Sequence, residues 1–172
     1  MLPRSIINGL KYPPIRLMDC VPTKFHSAQA KAEFGNLLLA FIADYCPESR
    51  FTNKLYDRLS NCFGHIAHYD RVGFISEYFC SPSNKLRFLT DTMSHHCMGD
   101  RHYTFSDVEW LIVKRLQQHN FASLFRKLAH KSTEAEEVLE LARLSKKYGR
   151  FSPPIHQPPP SQSATGDLFA AR

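Results

Sequence analysis

The amino-acid sequence predicts an all-α protein, a compact bundle of five to seven helices that ends in a disordered tail. Three observations support this fold class. Apolar residues recur at helical spacing, capping residues precede several of these segments, and prolines are concentrated near the C-terminus. With 172 residues, 43% of them hydrophobic, the chain can bury a core without disulfides or metals.

We expect three regions: an irregular arm over residues 1–24, a helical domain over residues 25–150 and a disordered tail over residues 151–172. In the arm, Asn8-Gly9 is typical of a tight turn, because both residues adopt positive φ readily, and it allows a small β-hairpin there. In the tail, five of the eleven prolines fall within residues 153–160. Such a composition cannot bury enough apolar surface to offset the entropy of ordering.

Two helices are predicted at the start of the helical domain. Ser27 is a suitable N-cap for a helix that reaches about Tyr45, and Thr52 caps the next helix. Phe51 and Tyr56 are placed to form a hydrophobic staple around that second cap. The first helix should bury one face, made of Phe34, Leu37, Leu38, Phe41, Ile42 and Tyr45.

The middle of the chain is less regular. The segment from Val72 to Phe79 is short and aromatic, and it fits either a helical turn or a strand. A further helix should open at Ser81-Pro82-Ser83, with Leu86 and Leu89 among its inward residues.

The C-terminal half contains two capping-box patterns. Ser106-Asp107-Val108-Glu109 predicts the start of a helix that ends near His119, with Phe105 and Trp110 as its staple. A shorter helix should follow from Ala122 to His130. The second pattern, residues 133–136, predicts the start of another helix that ends at Gly149.

The net charge of +6 is unevenly distributed. Residues 1–31 carry +4, residues 32–110 carry −3 and residues 111–150 carry +5. Basic ends favour an acidic partner, either nucleic acid or an acidic protein surface, although a basic surface also simply aids solubility. The residues predicted to contact nucleic acid are Lys114, Arg115, Arg126, Lys127, Lys146, Lys147 and Arg150.

The two helices on either side of Asn120-Phe121 also allow a helix-turn-helix interpretation. The second helix would then offer Ser123, Arg126, Lys127 and His130 to a groove. Two packed helices joined by a short loop are the alternative interpretation of the same pattern.

A histidine-rich middle suggests a second function class. His65, His68, Asp91, His95 and His96 are residue types that bind zinc, iron or manganese, and together they would allow a metal-dependent hydrolase. The alternative is a set of surface histidines, since no HExxH motif is present and Asp91 can pair with His95 one helical turn away. Apart from this alternative, no cofactor is expected.

The end of the tail carries a short peptide pattern. Thr165-Gly166-Asp167-Leu168-Phe169 resembles the peptides by which bacterial replication and repair proteins dock on the sliding clamp, and Asp167, Leu168 and Phe169 are the matching positions. The resemblance implies that these three residues dock on a protein partner. Folding back onto the chain's own domain is the other interpretation of an apolar pair in a tail.

The remaining features exclude several classes. Five cysteines with no Cys-x-x-Cys pair argue against a disulfide scaffold and favour a reducing compartment. The longest apolar run, residues 37–43, is far shorter than the ~20 residues of a membrane span. No nucleophile elbow or phosphate-binding glycine loop is present. We therefore expect a cytoplasmic, non-enzymatic binding or adaptor protein that does not contact a membrane.

Overall fold

The computed structural model describes residues 3–62, 70–94 and 99–149. Within these ranges every regular element is helical and no strand is present, which confirms the predicted fold class. Short 3₁₀ turns occur at Leu17–Asp19 and Glu48–Arg50. The helices are α1 (Arg4–Lys11), α2 (Ala28–Ala43), α3 (Asn53–Cys62), α4 (Arg71–Tyr78), α5 (Pro82–Ser94), α6 (Ser106–Gln118) and α7 (Phe121–Tyr148).

The chain divides into two compact units, residues 1–135 and residues 136–172. The first unit contains α1 to α6 and the beginning of α7, together with the hydrophobic core. The described part of the second unit is the remainder of α7 and Gly149, whose φ of 71° ends the helix as the sequence predicts. The predicted disordered tail, residues 151–172, lies outside the described residues.

Helix α2 is the central element of the first unit and packs against α1, α3 and α6. Its start confirms the predicted cap, because the Ser27 side chain accepts a hydrogen bond from the Ala30 amide at 3.1 Å. The helix buries more than the single predicted face: Leu39 is buried as fully as Leu38, whereas Leu37 is 44% exposed. A helix that is apolar on most sides is typical of a core position.

An aromatic cluster joins α2 to α4, α5 and the segment that precedes α3. The Phe51 ring lies 4.8 Å from that of Phe79 and 5.3 Å from that of Phe74, while Phe41 and Phe88 each lie 5.2 Å from Phe79. These centroid distances are in the range where edge-to-face and offset ring pairs are favourable. The cluster explains why the ambiguous aromatic segment around Phe74 forms a helix that faces the core.

Two predicted caps in this region are confirmed. Thr52 Oγ1 accepts a hydrogen bond from the Leu55 amide at 3.2 Å. The Phe51 and Tyr56 rings lie 6.2 Å apart, as the staple requires. Ser81 Oγ accepts from the Asn84 amide at 3.1 Å and so begins α5.

The predicted N-terminal hairpin is wrong, because residues 4–11 form helix α1 with Asn8 and Gly9 inside it. The apolar side of α1 decides this: Leu10 is fully buried and Ile6 packs against the core. Gly9 has a packing role instead of a turn role. A Cβ at this position would lie 2.3 Å from His119 Cε1, so only glycine permits this approach of α1 to the end of α6.

Both predicted capping boxes are also wrong. Helix α6 has Phe105 as its N-cap, with no capping hydrogen bond from the side chain, and Trp110 is 55% exposed instead of stapled to it. Helix α7 runs without a break through residue 133, where Thr133 Oγ1 donates to the Ala129 carbonyl oxygen at 3.2 Å. The two helices predicted around this threonine are therefore one.

Asp107 does not cap its own helix because it belongs to a buried ionic cluster. Its Oδ1 lies 2.7 Å from Lys31 Nζ on α2, and its Oδ2 accepts from the Val21 amide at 2.8 Å. The Lys31 side chain is fully buried, and its ammonium also donates to the carbonyl oxygens of Val21 (2.8 Å), Thr104 (2.9 Å) and Arg101 (3.2 Å). One cation thus connects α2, the segment before α2 and the start of α6.

Replacement of Lys31 by Met should destabilise the protein by about 3–5 kcal/mol, because it leaves the Asp107 carboxylate buried without its cation. Urea unfolding followed by circular dichroism measures the change. The control is Lys54→Met, which removes an exposed lysine and should change stability by less than about 0.5 kcal/mol. Equal effects of the two substitutions would show that the buried cluster contributes nothing specific.

Gly35 generates a second stability prediction. A Cβ at Gly35 on α2 would lie 2.7 Å from Ile15 Cδ1 and 2.9 Å from Val108 Cγ1, both in the core. Gly35→Ala should therefore cost about 1–3 kcal/mol despite the higher helix propensity of alanine. Combining it with Val108→Ala should cost less than the two single losses added together, and strict additivity in the double-mutant cycle contradicts the crowding.

Candidate binding surface on helix α7

The first part of α7 has a buried face and an exposed face. Phe121, Phe125 and Ala129 follow one another every four residues, and each is at most 7% exposed. The helix begins directly after Asn120, which takes a φ of 49° and so reverses the chain between α6 and α7. Because the buried face is fixed in this way, the residues opposite to it are committed to the surface.

That exposed side is positively charged. Arg126, Lys127, His130 and Lys131 occupy positions i, i+1, i+4 and i+5, so they share one side of the helix, and all four are exposed. We call these four residues the basic face. Among the described residues, Arg126, Lys127 and Lys131 have no ion-pair partner, whereas His130 Nδ1 lies 3.3 Å from Glu134 Oε1.

The surrounding sequence strengthens this charge. Residues 110–133 contain five Lys or Arg residues and no Asp or Glu. No neighbouring carboxylate within this stretch therefore offsets the positive potential of the basic face. The sequence analysis named Arg126, Lys127 and His130 but missed Lys131, which this acid-free stretch could have revealed.

Two predicted contacts on α6 differ from each other. Lys114 is exposed, and its ammonium lies 4.7 Å from the centre of the Trp110 ring. Arg115 is partly buried, and its Nη1 donates to the Leu10 carbonyl oxygen at 3.1 Å. Burial lowers the pKa of Arg115, an effect that the nearby Asp19 carboxylate opposes. Arg115 therefore holds the end of α1 against α6, and Lys114 remains available to a partner.

The other predicted phosphate contacts lie on the last turns of α7, in the second unit. Lys146 and Lys147 are exposed, and the Lys147 ammonium lies 4.9 Å from the Tyr148 ring centre. Earlier in this segment Arg143 Nε donates to Glu140 Oε2 at 2.6 Å, and this bond lowers the pKa of Glu140 and raises that of Arg143. Arg150 lies outside the described residues.

The predicted metal ligands are mostly outside the description as well. His65, His68, His95 and His96 fall in the two gaps at residues 63–69 and 95–98. Asp91 is described, and its Oδ2 accepts a hydrogen bond from the Tyr78 hydroxyl at 2.8 Å. Within the described ranges no three His, Cys, Asp or Glu side chains are grouped closely enough to hold a metal ion. The hydrolase interpretation stays a prediction.

The predicted docking residues Asp167, Leu168 and Phe169 also lie outside the described residues, so partner docking by the tail stays a prediction.

Comparison with known proteins gives no family for this chain. No protein-family model matches it, and neither the curated proteins nor the solved structures include a significant match. Among the described helices none combines the length and the hydrophobicity that spanning a membrane requires.

The different settings of the two arginines can be tested directly. Arg115→Ala should destabilise the protein by about 1.5–3 kcal/mol, because it removes a charged hydrogen bond to a partly buried carbonyl group. Arg126→Ala, on the exposed basic face, should change stability by less than about 0.5 kcal/mol. The measurement is the free energy of unfolding in urea, and a larger effect at Arg126 than at Arg115 contradicts the assignment.

Proposed function

We propose that this protein is a non-enzymatic binding protein whose basic face on α7 contacts the phosphates of nucleic acid. One observation carries the proposal: four exposed basic side chains share one side of a helix within a stretch that contains no acidic residue. Lysine and arginine side chains on a helix surface bind phosphates by charge, largely without regard to base sequence. Lys114 on α6 adds a further exposed cation to the same stretch.

The histidine of the basic face makes the interaction sensitive to pH in a defined direction. An imidazole with an ordinary pKa near 6.5 is mostly neutral at pH 7.5 and mostly protonated at pH 5.5. Protonated His130 adds positive charge beside Arg126 and Lys127, so affinity for phosphates should increase as the pH falls.

The tail would supply a second contact. The support for this part is the sequence alone: adjacent Leu168 and Phe169 follow a proline-rich segment, and such a pair is costly to leave in water. The protein would then act as an adaptor that holds nucleic acid with α7 and a protein partner with the tail. The free thiols of Cys20, Cys46 and Cys80 fit a reducing compartment, and we place this activity in the cytoplasm.

The decisive experiment measures how binding depends on salt. Affinity of the whole chain for a fluorescent DNA duplex of mixed sequence is followed by anisotropy between roughly 50 and 200 mM salt. We expect Arg126→Glu/Lys127→Glu to weaken binding at least about tenfold and to reduce the slope of log K against log salt by roughly two, since about 0.9 is lost per phosphate contact.

The matched control is Arg4→Glu/Lys54→Glu, which makes the same change in net charge at exposed positions on α1 and α3. It should leave the slope unchanged. Equal losses in both double variants would mean that only total charge matters and would contradict a defined basic face. Binding to polyglutamate but not to the duplex would assign an acidic protein as the partner instead.

A further inference from the structure

The last turns of α7 expose apolar side chains that the first unit does not use. Val138, Leu139 and Leu141 are 65%, 71% and 66% exposed. Val138, Leu139 and Ala142 are spaced i, i+1 and i+4, so they form one stripe with Leu141 at its border. We call residues 136–148 the terminal segment. Most helical stability in proteins comes from packing an apolar face, so this stripe requires a partner.

The order of charges along the terminal segment identifies that partner. Three acids precede the Leu141–Ala142 peptide bond and three bases follow it, and their positions are mirror images about that bond. The mirrored pairs are Glu136 with Lys147, Glu137 with Lys146, and Glu140 with Arg143. A segment with this symmetry is complementary in charge to a reversed copy of itself, whereas a parallel copy would place like charges side by side.

The apolar residues suit the same arrangement. In a reversed copy centred on the Leu141–Ala142 bond, Leu139 lies opposite Leu144, and Leu141 lies opposite the small Ala142. The small residue lets the two helices approach closely where the large one projects. Antiparallel helices also align their dipoles favourably.

We infer that the terminal segment forms an antiparallel helix pair with a second copy of this chain. The interface has two-fold symmetry, in which each acidic half lies beside the basic half of the other copy. Glu140 and Arg143 already pair within each chain, so the outer charges, residues 136 and 137 against residues 146 and 147, set the orientation. Each segment of thirteen residues is only about 20 Å long, and the pair therefore buries less than a standard interface and dissociates in the micromolar range.

Sedimentation equilibrium of the full chain tests the inference. Over roughly 10–500 µM the wild type should shift from its monomer mass of 19.8 kDa towards twice that value. Glu136→Lys/Glu137→Lys should weaken association about tenfold or more, because four attractive pairs per dimer become repulsive, and Lys146→Glu/Lys147→Glu should do the same. The variant that combines all four changes is again complementary and should restore dimerisation to within about threefold of the wild type.

Two controls separate this result from folding and from net charge. Glu33→Lys/Glu48→Lys makes the same charge change at exposed acids of the first unit and should leave association unchanged. Circular dichroism verifies that each variant keeps its helicity. Arg126→Glu/Lys127→Glu should also leave association unchanged, so nucleic-acid binding and dimerisation can fail independently.

Three outcomes overturn the inference. The first is a wild type that stays monomeric over the whole concentration range. The second is an undiminished dimer in Glu136→Lys/Glu137→Lys, which would require another orientation or another surface. The third is a monomeric wild type that dimerises once the chain is ended after Gly149, which would show that the tail covers the stripe instead of a second copy.

Discussion

The buried pair of Lys31 and Asp107 is the constraint on which the arrangement of the first unit depends. Removing an ammonium from water is costly, and the cost is offset only when every proton finds an acceptor and the charge has a counterion. Lys31 meets both conditions, with a carboxylate oxygen at 2.7 Å and three carbonyl oxygens within 3.2 Å. These oxygens come from segments before α2 and before α6, so the hydrogen bonds can be satisfied only when those segments converge on α2. The same surroundings raise the pKa of the Cys20 thiol to about 11, chiefly through burial and also through the Asp107 charge, which keeps this cysteine protonated at neutral pH.

The position of α6 determines which side of α7 faces water. At the end of α6, His119 packs against Gly9 of α1, and Arg115 donates to the carbonyl group of Leu10. The chain reverses at Asn120, and Phe121 and Phe125 of α7 are then buried in the core. With those rings inside, helical spacing leaves the basic residues of this part of α7 outside. The charge pattern on the surface is thus a consequence of core packing around a neighbouring helix.

What the sequence could predict is what depends on residues close together in the chain. Ser27 and Thr52 bond to amides three residues ahead, and both caps were predictable from local pattern. The errors occur where a distant partner competes. Asp107 was assigned to a local cap but is taken by Lys31, and Asn8-Gly9 was assigned to a turn although α1 requires a glycine against His119. The capping pattern at Thr133 failed because the hydroxyl donates backwards to the Ala129 carbonyl group and the helix continues. The basic residues of the candidate site could be named from the sequence, but their common side required knowing that α7 is one helix with Phe121 and Phe125 inside.

Helix α7 carries two surfaces of different character because its two parts meet different demands. In the first part the core takes the apolar side chains, and only charge remains for recognition. In the terminal segment the core takes none, so apolar and charged side chains are both available, which is the combination that a specific helix–helix contact requires. The consequence is a division of roles along one helix. Pairing of the terminal segments would bring two basic faces onto a single assembly, and the second contact with a polyanion would then form at the effective concentration set by the first. A weak charge-based interaction at each basic face would gain strength from the pairing without any additional contact to the nucleic acid.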